Sequence, residues 1–186
     1  MNPPTQISSK KPLDIPDPFL SPALFQSIFW KPRFLVDTEL TEHLPLLFWL
    51  CSVSRPNLVK VIGADNGVAQ FAFCQALEKN GIDGKCIGFG AWKQQKTNKR
   101  AAMPPLQLRE HEAMLYEGIS QLSVFEEAEE LLEKSDSGTV DLLFCDLTSL
   151  PSDITVSFDE LLAQLSVSGV LVLHGITSTP DGKTEG

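Results

Sequence analysis

The chain has 186 residues, 42% of them hydrophobic, enough for one globular domain with a buried core and too few for two full ones. A formal net charge of −9 opposes a phosphate backbone, so no nucleic-acid binding is expected. The Met1 end lacks a basic region followed by an apolar run, and the longest apolar stretch, Leu44 to Val53, is too short to cross a bilayer, so the expectation is no membrane span and a cytoplasmic location.

Seven of the 13 prolines fall at or before Pro32, which predicts a flexible tail over 1–18. Residues 19–40 carry Phe19, Phe25, Phe29 and Trp30 and are expected to lie on the domain or on a partner as an aromatic arm. A helix is predicted from about Thr41 to Val53, with Pro45 in its first turn and Arg55-Pro56 as a stop. Leu58 to Gly63 reads as a short buried strand. The turn Gly63-Ala64-Asp65-Asn66-Gly67 and an apolar helix ending at Asn80-Gly81 follow it. Cys86 to Phe89 is a second strand, and the basic stretch from Lys93 to Arg100 an exposed loop. Leu115 to Ile119 is read as the third strand. Ser123 with Glu126 is read as a capping box for a helix to about Lys134, with Gly138 as its stop.

Val140 to Asp146 is a near-continuous apolar run ending on a carboxylate, as a central parallel strand would be. Ser157 with Glu160 caps a helix whose Phe158, Leu161, Leu162 and Leu165 keep an apolar stripe. Ser168-Gly169 then turns the chain into a strand from Val170 to His174, and 177–186 form a polar tail. The four cysteines (Cys51, Cys74, Cys86, Cys145) sit in apolar segments without metal-ligand spacing, so reduced structural thiols are expected.

Alternating strands and helices over 41–176 imply an α/β fold: a Rossmann-like three-layer αβα sandwich on a mainly parallel sheet, truncated after the fifth strand. Ligands of such sheets bind beyond the carboxyl ends of the strands, where strand order reverses.

The ordered segments resemble the class I S-adenosylmethionine-dependent methyltransferases, especially the subgroup often encoded near polysaccharide and glycosyltransferase genes, over roughly Leu44 to Ile176. The resemblance rests on Leu44-Pro45-Leu46-Leu47-Phe48-Trp49-Leu50, the Gly63 to Gly67 loop, Phe71-Ala72-Phe73-Cys74-Gln75-Ala76 and Phe125-Glu126-Glu127-Ala128. Val140 to Asp146 and Leu165 to His174 complete it. It implies S-adenosylmethionine as cofactor, held by Gly63, Ala64, Asp65, Asn66 and Gly67, by Gly90, Ala91 and Trp92, and by Asp146. Asp146 and His174 are the implied catalytic residues.

Several positions depart from the family's pattern. A carboxylate expected near Val61 is absent, with Asp65 as a substitute or as a helix cap. The acid that would hold both ribose hydroxyls is replaced by Gly90, a loss of about 2 to 4 kcal/mol of cofactor binding. The loop Leu147-Thr148-Ser149-Leu150-Pro151 lacks the usual histidine and aromatic, and Gly175 replaces an acid after His174. No metal site is expected from the two ligands that remain, Asp146 and His174. His43 and His111 show no partner and read as surface or satisfied residues. No hairpin follows the fifth strand, whose open edge would be covered by the aromatic arm, by a second copy in a homodimer, or by the rest of a larger parent protein.

Three functions share this fold. One is a methyltransferase acting on an unknown acceptor, a sugar or other small molecule. The second is a non-catalytic module for assembly or interaction. The third, an NAD-binding oxidoreductase, is the weakest, because the loop is not Gly-x-Gly-x-x-Gly.

Overall fold

The computed structural model describes residues 26–92, 103–125, 137–152, 154 and 156–176. Two short 3₁₀ turns, Gln26–Phe29 and Glu39–His43, lead into helix α1 (Leu44–Ser54). The predicted start at Thr41 therefore belongs to the second turn. Pro45 occupies the first turn of α1, where its missing N–H costs nothing, and Arg55 ends the helix in the left-handed region directly before Pro56. Residues 30–40 lie against α1 and the next helix. Trp30 meets Phe48 edge-on at 5.8 Å, Phe34 meets Phe71 at 4.9 Å, and the Gln75 amide donates to Lys31 O while accepting from Arg33 N.

The elements that follow are β1 (Leu58–Ile62), α2 (Val68–Lys79), β2 (Lys85–Gly90), α3 (Leu106–Leu115), β3 (Ser120–Val124), β4 (Val140–Asp146), α4 (Phe158–Gln164) and β5 (Leu165–His174). The sheet order is β3-β2-β1-β4-β5 and every pairing is parallel. From β1 the chain builds outward through β2 to β3, then returns to the far side of β1 as β4. The order therefore reverses between β1 and β4, the point at whose carboxyl edge such sheets bind their ligands. One face of the sheet is packed by α1, α2 and Leu108 of α3 through Leu47, Phe48, Phe71 and Phe73 against Val59, Val61 and Phe144. The other face buries Ile62, Phe89, Leu143 and Cys145 with Leu161 of α4. This is the expected Rossmann-like αβα sandwich. Among the described residues no helix is long and apolar enough to cross a membrane.

Three local expectations are corrected. The third strand is Ser120–Val124 rather than Leu115 to Ile119. Leu106–Leu115 is rich in good helix formers and stays helical to its last residue, and Gly118, at φ 81°, makes the turn into the strand. Ser123 consequently pairs with Phe89 inside β3 instead of capping a helix; the helix expected to about Lys134 and the loop from Lys93 to Arg100 lie outside the described residues. Ser168-Gly169 is not a turn before the last strand but an irregularity within β5. Val140 pairs with Leu165 while Leu142 pairs with Val170, so β5 carries extra residues there, and Gly169 closes against Val140 O. The capping box of Ser157 and Glu160 is present as read, with α4 burying Leu161 while Phe158 and Leu162 stay exposed.

Candidate functional site

The loop after β1 is held from within. The N–H groups of Gly63 and Ala64 both donate to Phe89 O at 2.9 Å, Gly67 N donates to Ala64 O, and Asn66 Oδ1 accepts from the N–H of Val68, the first residue of α2. Gly63 and Gly67 have φ of 83° and 77°, a region that side chains resist. A Cβ on Gly63 would lie 2.7 Å from Asp146 O and 3.1 Å from Ser149 Cβ; one on Gly67 would lie 2.7 Å from Leu108 Cδ2. The glycine spacing thus lets the end of β4 and helix α3 close onto the loop.

Asp65 reaches from this loop to the end of β2. Its Oδ1 accepts from Ala91 N at 2.8 Å, and that same oxygen is 2.7 Å from where a Cβ of Gly90 would stand. Trp92 is buried over Gly90, its indole N–H donating to Asp65 O at 3.1 Å. Gly90, Ala91, Trp92 and Asp65 therefore form one group. Burial raises the Asp65 carboxyl above its ordinary value; the Ala91 N–H partly offsets this, and the charge of Asp146 adds to it. Sequence reading placed Asp65 within the loop, as a substitute acid or a helix cap, but its approach to the end of β2 depends on a contact 26 residues away that no local pattern shows.

Asp146, at the end of β4, is buried and fully engaged. Oδ1 accepts from Thr148 N (3.0 Å), Thr148 Oγ1 (2.6 Å) and the His174 Nδ1–H (3.1 Å), and Oδ2 accepts from Ser149 Oγ (2.9 Å). Burial pushes this carboxyl up, yet hydrogen bonds from Thr148, His174 and Ser149 together bring it below its ordinary value. Asp146 pairs directly with His174 across β4 and β5, so parallel register brings the two together. The His174 ring stacks on Phe144 and meets the His43 ring edge-on at 5.5 Å. His43, read from sequence as a surface or satisfied residue without a recognisable partner, is exposed and stands beside the site as the last residue before α1. Its placement follows from the packing of α1 on β4 and β5, which periodicity does not give. His111 packs among Phe34, Phe71 and Tyr116, away from these groups.

Among the described residues no group of three or more His, Cys, Asp or Glu side chains gathers as a metal site would need. All four cysteines are buried and free, and burial pushes the Cys51 and Cys145 thiols up to about 12. Sequence reading overlooked Lys60, which lies inside the sheet on β1. Its ammonium donates to Gln164 Oε1, sits 5.0 Å over the Phe89 ring, and is lowered by burial to about 8.

A family model described as a methyltransferase domain matches residues 61–176. An uncharacterized protein, y4gI, from Sinorhizobium fredii is 27% identical over 161 residues, covering 83% of this chain; the chain spans only 16% of that relative's length. The O-methyltransferase TomG of Streptomyces achromogenes, involved in tomaymycin synthesis and solved with SAM, is 17% identical with a TM-score of 0.50, covering 84% of this chain and 64% of its own. The SAH-bound methyltransferase PaMTH1 of Podospora anserina is 13% identical with a TM-score of 0.48, over 86% of this chain and 62% of that one.

Proposed function

We propose that this chain, which belongs to the methyltransferase domain family, binds S-adenosylmethionine at the carboxyl ends of β1 and β2 and methylates a small acceptor beside Asp146 and His174. The observation that carries the reading is the Asp65 carboxylate. The sequence has a glycine where an acid at the end of β2 would accept the ribose hydroxyls, yet Asp65 Oδ1 lies 2.7 Å from where a Cβ of Gly90 would stand, beside the Trp92 ring. An acceptor group is therefore present at the right strand end, supplied by the neighbouring loop. The residues fit an adenosyl ligand in kind: a half-buried carboxylate for vicinal hydroxyls, and an indole beside it as an apolar wall.

S-adenosylmethionine bound there would supply an electrophilic methyl group. The chain's own residues orient and accept a proton. Asp146 is locked by Thr148 and Ser149, accepts the His174 Nδ1–H and so fixes the tautomer that leaves His174 Nε2 as a proton acceptor. Positioning contributes alongside proton transfer, since two held reactants escape the entropy cost of encounter. The outer edge of β5, with Val167 fully exposed, is the place where a second copy or the remainder of a longer chain would add.

A second reading, a non-catalytic module on the same fold, is favoured by one observation: the loop's own N–H groups are spent within the protein and Trp92 lies over Gly90. Calorimetric titration with S-adenosylmethionine and S-adenosylhomocysteine decides between them. The enzyme reading expects saturable heat with a micromolar to sub-millimolar Kd, weakened at least tenfold by Asp65→Asn; absence of heat at millimolar ligand would leave the module.

A further inference from the structure

We propose that the methyl acceptor is a phenol, seated in the cavity between α1 and the carboxyl ends of β4 and β5 with its hydroxyl against His174. This deepens, and rests on, the methyltransferase reading above.

The cavity has a volume of about 290 Å³. Leu40, Leu47, Phe144 and Val172 form its walls, Leu46 and Ile176 its rim, and His43 and His174 are the only polar side chains among its described lining residues. Leu40 and Leu47 are buried, whereas Leu46 and Ile176 are 47% and 68% exposed, so the cavity opens to solvent on one side. It adjoins the site already built through His174, which belongs to both. Gly63 touches Asp146, Asp146 holds His174, and His174 lines the cavity.

Size and chemistry select the occupant. A cavity at the small end of the ligand range admits a single ring with short substituents. Aliphatic and aromatic walls favour a ring, and stacked or edge-on aromatic neighbours already border the space at Phe144, His174 and His43. A sugar would carry several hydroxyls into walls that offer partners for only one or two, and each unpaired hydroxyl would forfeit its bond to water. A phenol brings one hydroxyl, which the histidine can take, and its O–H gives up a proton far more readily than a sugar hydroxyl does.

The step balances simply. The phenol O–H proton passes to His174 Nε2, the oxygen forms a bond to the methyl carbon of S-adenosylmethionine, and the carbon–sulfur bond breaks with its electron pair on sulfur. An aryl methyl ether and S-adenosylhomocysteine result, and the histidinium returns its proton to solvent. His174 is the catalytic residue, Asp146 its positioning residue, and His43 borders the ring.

The test uses 4-nitrophenol, whose phenolate absorbs in the visible, added to the full chain with S-adenosylhomocysteine titrated in parallel. Wild-type protein is expected to show a saturable phenolate band. Leu46→Trp, at the exposed rim and so harmless to folding, should weaken 4-nitrophenol binding at least tenfold while S-adenosylhomocysteine binding stays unchanged. His174→Gln should retain binding but lose the band, and Asp146→Asn should move the pH at which the band appears. If S-adenosylhomocysteine binds while 4-nitrophenol does not, or binds Leu46→Trp equally well, the phenol assignment is overturned and the methyltransferase reading stands. Competition by glucose at equal concentration would also overturn it. If neither ligand binds, both readings fall.

Discussion

Replacing Gly63 by alanine separates two demands on that residue, conformation and space. Its φ of 83° lies where an L side chain is disfavoured by about 1 to 2 kcal/mol. The added Cβ would also stand 2.7 Å from Asp146 O, a backbone atom fixed by the β4 ladder, so the strand end must shift; overpacking of this kind costs about 1 to 3 kcal/mol. Together they predict a loss of roughly 2 to 5 kcal/mol. Gly81→Ala supplies the comparison, because Gly81 has φ 58° but no atom within 4 Å of the place its Cβ would take, leaving only the conformational cost of about 1 kcal/mol. Urea unfolding followed by tryptophan fluorescence measures both, with the slope expected to stay constant. Equal costs for the two substitutions would refute the claim that Gly63 exists to let the end of β4 close onto the loop.

Three further outcomes follow from other parts of the molecule. Lys60→Met combined with Gln164→Leu is expected to raise stability by about 1 to 2 kcal/mol at pH 7, because a buried ammonium and its buried amide partner are replaced together by apolar chains of similar length. With a folded value near 8 against 10.5 unfolded, the wild type should also gain stability as pH rises between those values, when only the unfolded chain holds the proton; the variant should lack that rise in pH-dependent urea titrations. Asp146→Asn should cost about 1 to 3 kcal/mol, since an amide cannot accept from Thr148, Ser149 and His174 as a carboxylate does. Because the Asp146 carboxyl is held below its ordinary value, its contribution is complete above about pH 4 and is lost as pH falls through the folded value, so the variant's acid-unfolding limb should be flatter. Folded protein should also react with a chromogenic disulfide reagent only as fast as it opens, since all four thiols are buried and Cys51 and Cys145 are pushed up to about 12; rapid labelling without denaturant would contradict this.

Much of the fold was legible because burial on both faces leaves a strong mark on a parallel strand. Val140 to Asp146 and Leu58 to Ile62 read as mainly apolar runs, interrupted only by Asp141 and Lys60 before the closing Asp146, and the Ser157–Glu160 box announced α4 by side-chain chemistry alone. The third strand escaped because Ser120-Gln121-Leu122-Ser123-Val124 is a half-buried edge segment with polar residues, weaker than the helix-forming run before it. The irregularity in β5 escaped because Ser168-Gly169 has turn chemistry, and only pairing with β4 keeps it in the sheet.

The site was legible in part for the same reason. Asp146 and His174 are marked by their place at strand ends, and parallel register then joins them. The Asp65 carboxylate beside Gly90, and His43 beside His174, come from elements distant in sequence, so their meeting is a property of packing rather than of any motif.

A crystal structure of the chain soaked with S-adenosylhomocysteine bears most directly on the central claim, that the carboxyl edge of β1 and β2 is an adenosyl site with Asp65 as its acid. The account predicts ligand density beside Gly63 and Trp92, with the ribose hydroxyls on Asp65. Density-free space there at millimolar ligand, with Asp65 and Trp92 unmoved over Gly90, would contradict it.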